Sequence, residues 1–125
     1  VKKIISTPHA PAAVGPYNQA VDTGDFVFVA GQVPIDPRTG KIESTDISGQ
    51  TRQALDNIKA IVGAAGLTLR HVVKVTVFLR SMDDFKAMNA VYADYLGDDA
   101  PARATVEVDR LPLDAMVEIE AIARR

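Results

Sequence analysis

The chain has 125 residues, 47% hydrophobic and 24% charged, which suits one domain over residues 1–125 with one apolar core. Fourteen basic and sixteen acidic side chains leave a net charge of −2, without the basic excess or basic run of a nucleic-acid binder. It has no cysteine, which excludes disulfides, cysteine-ligated zinc and thiol catalysis and fits a cytoplasmic setting. No stretch approaches transmembrane length and Val1–Ser6 lacks the apolar run of a secretory signal, so no membrane association is expected.

Lys2–Ser6 reads as a short strand, and Thr7–Gly15, rich in Pro and Ala, as a loop. Asn18–Asp22 and Phe26–Ala30 are strand-like runs on either side of Thr23-Gly24-Asp25, a hairpin signal. Pro34–Gly40 is a turn segment with two prolines. The period then changes. Ile47, Leu55, Ile58, Ile61, Val62 and Ala65 recur at helical spacing, and Gly66 is a natural stop. Val72–Leu79 predicts an interior strand, with Val73, Val75 and Val77 on one face and Val72, Thr76 and Phe78 on the other. Ser81 and Asp84 resemble a capping box opening a second helix through Phe85, Met88, Tyr92 and Tyr95, ended by Gly97. Ala104–Val108 and Met116–Ala123 are the last strands, around Leu111-Pro112.

The order β-β-β-α-β-α-β-β predicts an α+β domain with both helices on one face of a single mixed sheet. Phe28, Val75, Val77, Val106 and Val117 supply apolar surface for both faces. A face that two helices leave uncovered needs a partner, and a further copy of the chain is the simplest one.

The two histidines, His9 and His71, are not at metal-ligand spacing, and no phosphate-cradling glycine loop or nucleophile elbow is present. The C-terminal third carries more chemistry. Arg103 stands at the mouth of a strand, where a guanidinium fork can hold a carboxylate through two hydrogen bonds; the same spacing suits an ordinary surface arginine. In Val117-Glu118-Ile119-Glu120-Ala121 the two glutamates share one strand face. A glutamate among apolar neighbours can have a raised pKa and move protons, although a solvent-facing strand residue gives the same pattern. Tyr17, after Gly15-Pro16, sits where a turn can present its hydroxyl or where a tyrosine can simply cap the core.

Taken with their flanking words, these residues resemble the RidA (YjgF) family. The matching segments are Ala10-Pro11-Ala12-Ala13-Val14-Gly15-Pro16-Tyr17-Asn18-Gln19-Ala20, Ala30-Gly31-Gln32-Val33-Pro34, Pro101-Ala102-Arg103, Val106-Glu107-Val108, Leu111-Pro112 and Val117-Glu118-Ile119-Glu120-Ala121. The resemblance runs from about Ile4 to the end of the chain. It implies a chorismate-mutase-like subunit, a homotrimer with a central barrel, and active sites in the clefts between subunits. The implied activity is hydrolytic deamination of 2-imino acids to 2-keto acids and ammonia, with no metal or organic cofactor. By position, Arg103 matches the carboxylate-binding arginine, Glu118 the water-activating glutamate and Tyr17 the pocket tyrosine. Gly31, Thr105 and Asn89 match substrate-binding positions. Ala30 stands where many relatives carry serine, Thr105 where they carry cysteine or serine, and Ala100 where an aromatic often precedes Pro101. Relatives are also credited with chaperone-like or carboxylate-sensing roles and with RNA cleavage. A pure binder needs Arg103 but not Glu118, and the acidic balance disfavours RNA.

Overall fold

A computed structural model describes residues 1–125. Six strands, β1 (Lys3–Ile5), β2 (Ala20–Asp22), β3 (Phe26–Gln32), β4 (Val72–Leu79), β5 (Ala102–Glu107) and β6 (Val117–Arg124), form one sheet in the order β1-β2-β3-β6-β4-β5. Two helices, α1 (Ile47–Ala64) and α2 (Phe85–Leu96), lie on one of its faces. All neighbours are antiparallel except β4 and β5. That pair is joined through α2, the crossover a parallel pair requires. The predicted α+β order is therefore the observed one, and no helix is long and apolar enough to cross a membrane.

Local chemistry sets the element ends. In the β2–β3 hairpin Gly24 takes φ +103°, and its N–H donates to the Asp22 carboxylate at 2.9 Å. β2 is shorter than expected, because Asn18 and Gln19 belong to the preceding loop. The Gln19 side chain is buried and ties that loop down: Nε2 donates to the carbonyls of Thr7, Ala10 and Pro11, and Oε1 accepts from the Thr7 N–H. Asp46 caps α1 by accepting from the Gly49 N–H at 2.8 Å. At the other end Gly66, at φ +80°, closes a Schellman turn with Gly66 N–H to Gly63 and Leu67 N–H to Val62, both 2.9 Å.

Two further local expectations differ from the structure. Val73 does not share a face with Val75 and Val77. A register shift in the β4–β6 ladder between Val72 and Lys74 makes Val73 a bulge, so Val72 is buried and Val73 is 42% exposed. Ser81 does not open α2 directly. It caps a separate 3-10 turn, Met82–Asp84, by accepting from the Asp83 N–H, and the helix proper begins at Phe85. Gly97 ends α2 as expected; it keeps right-handed angles, and the left-handed residue is Asp99.

The core lies between sheet and helices. Val75, Val77, Val117 and Ile119 of the sheet pack with Leu55, Ile58 and Ile61 of α1 and Met88 of α2 in one cluster, all at 1% exposure or less. The apolar residues assigned to both faces thus divide: Val75, Val77 and Val117 face the helices, and Phe28 and Val106 face the other way, 42% and 43% exposed. On that open face the register aligns Ile4, Val21, Phe28 and Ile122 into an apolar row across four strands.

Candidate functional site

The candidate residues fall into two groups on opposite faces of the sheet. β5 pairs Arg103 with Val75 and Thr105 with Val77, so both side chains leave on the helix-covered face. There the Arg103 guanidinium meets α2. Its Nη1 donates to Asn89 Oδ1 at 2.8 Å, and its central carbon lies 4.6 Å from the Tyr92 ring centroid and 5.6 Å from that of Phe85. Phe85, Asn89 and Tyr92 are at i, i+4 and i+7, one stripe of the helix. The ion pairs of the chain are Arg38–Asp36, Arg110–Asp114 and Arg125–Asp22, so no carboxylate neutralises Arg103. The Tyr92 and Thr105 hydroxyls are both sealed from solvent without a hydrogen-bond partner. Desolvation pushes the Tyr92 hydroxyl pKa up against the opposing charge of Arg103, so the ring stays neutral.

The second group faces the open side. Glu118 pairs with Phe78 and Glu120 with Thr76, so the two glutamates share that face as expected. A second bulge places them beside β3: Val29 pairs with Ala121 and Gln32 with Ile119, leaving Ala30 and Gly31 opposite Glu120 alone. The Glu118 carboxylate lies against Gly31, where an added Cβ would collide with Oε2. Gly31 is therefore required for close approach rather than for its φ. Desolvation raises the Glu118 pKa above the ordinary carboxylate range, and the charge of Glu120 raises it further. Tyr17 and Gly31 line one small pocket with Val14 and Gln32, and the Tyr17 hydroxyl accepts from the Val14 N–H at 3.3 Å.

Tyr17, Gly31 and Glu118 are thus brought to one side, and Arg103, Asn89 and Thr105 to the other. Arg103 and Glu118 sit at strand positions paired with Val75 and Phe78, three residues apart along β4, which is roughly 10 Å. Neither histidine joins either group. His9 is exposed, and His71 Nδ1 accepts from the Thr68 N–H at 3.0 Å in a capping box. No three His, Asp or Glu side chains cluster as a metal site. Phe85 and Tyr92 were legible only as core residues of an amphipathic helix. Their i, i+7 spacing around Asn89 was the available signal, but their contact with Arg103 depends on where β5 packs.

A family model described as Endoribonuclease L-PSP matches residues 7–125. The chain is 50% identical over 128 residues to the 2-iminobutanoate/2-iminopropanoate deaminase of Salmonella typhimurium, covering 100% of this chain and 99% of that one. Among solved structures it is similar to the YjgF gene product of Escherichia coli, with a TM-score of 0.94 and 50% identity over 98% of both chains. It is also similar to E. coli TdcF with bound serine, with a TM-score of 0.94 and 48% identity over 98% of both chains.

Proposed function

The chain belongs to the RidA (YjgF) family that the Endoribonuclease L-PSP model describes, and we propose that it deaminates 2-imino acids at sites built between the subunits of a homotrimer. It is a hydrolase acting on C=N bonds. Water adds to the imine carbon, the C–N bond of the resulting carbinolamine breaks, and a 2-keto acid and ammonia leave. The observation that carries the site is the division of labour across the sheet: a guanidinium without a carboxylate partner on one face, and a desolvated carboxylate on the other.

Arg103 binds the substrate carboxylate. With Nη1 committed to Asn89, Nε and Nη2 remain as a two-donor edge for the two carboxylate oxygens. Serine bound to TdcF carries the same α-carboxylate group. Glu118 accepts a proton from the attacking water and returns one to the departing nitrogen. Its raised pKa, caused first by burial, suits both halves of that exchange. Tyr17 and Gly31 form the wall beside Glu118. Asn89 acts through Arg103 by holding Nη1. Thr105 has its hydroxyl enclosed, so its contribution to substrate comes from the β5 backbone. Imines hydrolyse unaided in water, so about 3–6 kcal/mol off the barrier gives a useful acceleration of roughly a hundredfold to tens of thousands.

Trimerisation covers the apolar row Ile4, Val21, Phe28 and Ile122 and brings Glu118 of one copy to Arg103 of the next. No metal or organic cofactor takes part on this reading, and the setting is cytoplasmic. The net charge of −2 and the absence of a basic stripe weigh against an RNA substrate.

The test generates 2-iminobutanoate in situ with an amino-acid oxidase and lets semicarbazide compete for it. Arg103→Ala should lose turnover and 2-oxobutanoate binding together. Glu118→Gln should lose kcat while 2-oxobutanoate binds as before, the signature of an interaction used in the transition state. Full activity in Glu118→Gln with activity lost in Glu120→Gln would move the base to Glu120. Activity indifferent to both glutamates would make the protein a carboxylate binder.

A further inference from the structure

We propose that Tyr92 is a positioning residue whose ring face, with Phe85 and the Asn89 amide oxygen, holds the Arg103 guanidinium flat and aims its free edge at the substrate carboxylate. The inference rests on the reading of Arg103 as the carboxylate anchor.

A guanidinium at the start of an edge strand has a long, flexible stem, and a bidentate contact is useful only if its plane is held. An ion pair would hold the plane but would neutralise the charge the ligand needs. Here the plane is held without a charge. The guanidinium carbon is 4.6 Å from the Tyr92 centroid and 5.6 Å from the Phe85 centroid, both within cation–π range. The head group donates one hydrogen bond within the chain, from Nη1 to the neutral Asn89 oxygen at 2.8 Å. Tyr92 is itself anchored, 6% exposed in the core cluster with Met88 and Leu96, so its ring is a fixed platform. Phe85, half-buried at the other end of the stripe, is the weaker contact.

The Tyr92 hydroxyl is buried and unpartnered. The Arg103 guanidinium nearby opposes the rise in the hydroxyl pKa, and the ring and the hydroxyl make separable predictions because each can be removed without the other. Tyr92→Phe keeps the platform and removes a buried orphan polar atom. It should raise the 2-oxobutanoate Kd less than removal of the ring does. Tyr92→Leu keeps an apolar side chain and removes the platform. It should raise KM and the 2-oxobutanoate Kd by about tenfold with kcat within about threefold.

The experiment measures 2-oxobutanoate Kd by calorimetry and kcat and KM in the trapped-imine assay. It covers Tyr92→Phe, Tyr92→Leu, Arg103→Ala and the double variant Tyr92→Leu/Arg103→Ala. Positioning through Arg103 predicts that Tyr92→Leu adds nothing to the Kd loss already caused by Arg103→Ala, whereas a merely structural role would add to it. If Tyr92→Leu does not fold, Phe85→Leu carries the test and should raise Kd two- to fivefold in the Arg103 protein and not at all in the Arg103→Ala protein. An unchanged Kd in the ring-removing variant overturns the proposal, as does a Tyr92→Phe loss equal to that of Tyr92→Leu. If Arg103→Ala itself keeps full 2-oxobutanoate affinity, the carboxylate-anchor reading has failed, a result distinct from failure at Tyr92.

Discussion

Two inactive variants, mixed, are expected to make an active enzyme. Arg103 leaves the sheet on its helix-covered face and Glu118 on its open face, at β4 positions three residues apart. Opposite faces of one chain do not converge on one four-carbon imino acid, so the proposed site takes Arg103 from one subunit and Glu118 from its neighbour. Arg103→Ala and Glu118→Gln trimers then lack one half of every site. When equal amounts assemble at random, a site works only where a Glu118→Gln chain supplies the arginine and an Arg103→Ala chain supplies the glutamate. Each condition holds half the time, so about a quarter of the sites are intact. In a purified mixed trimer of either composition, one neighbouring pair has the working order, which is about a third of the sites. Co-expression with two different affinity tags and sequential purification isolates the mixed trimers, and the trapped-imine assay reads them against each parent variant. Recovery near a third of wild-type turnover is the expected result. Mixed trimers no more active than the parents would refute the intersubunit site, and with it the assignment of Arg103 and Glu118 to one reaction centre.

The pH dependence should report the coupling of the two open-face glutamates. As base, Glu118 works ionised, so activity is lost as pH falls through its raised pKa; Glu120→Gln removes the charge that adds to that rise. The acid limb of kcat/KM should therefore move to lower pH in Glu120→Gln, and an unmoved limb, or one moved upward, would remove Glu120 from the account. Stability should respond at the turn before β6, where Leu113 and Asp114 occupy consecutive left-handed positions at φ 58° and 55°, and Leu113 is 67% exposed. Leu113→Gly relieves about 1–2 kcal/mol of steric cost against about 0.5–1 kcal/mol of added chain entropy, a net gain of about 0.5–1 kcal/mol; denaturant melts showing a loss of stability would contradict this.

Much of the architecture follows from periods visible in the chain itself. Ile47 to Ala65 recur at helical spacing with Gly66 behind them, and the helix ends in a left-handed glycine because only that conformation satisfies its last carbonyls cheaply. Alternation in Val117–Ala121 likewise determines that Glu118 and Glu120 share a face, since side chains of a regular strand alternate. Alternation fails where the backbone inserts a residue. The bulge at Val73 reverses the face expected from counting, and the one at Ala30-Gly31 brings Gly31 under the Glu118 carboxylate. Both depend on ladder register with β6, a strand more than 40 residues later than Val73 and more than 80 later than Gly31. Register across that distance also separates Arg103 from Glu118 and lays Arg103 over Tyr92. Spacing within a strand or helix is local covalent geometry and can be read from the chain. Which face meets which, and which charge is left without a partner, is decided only when distant elements compete for the same surface.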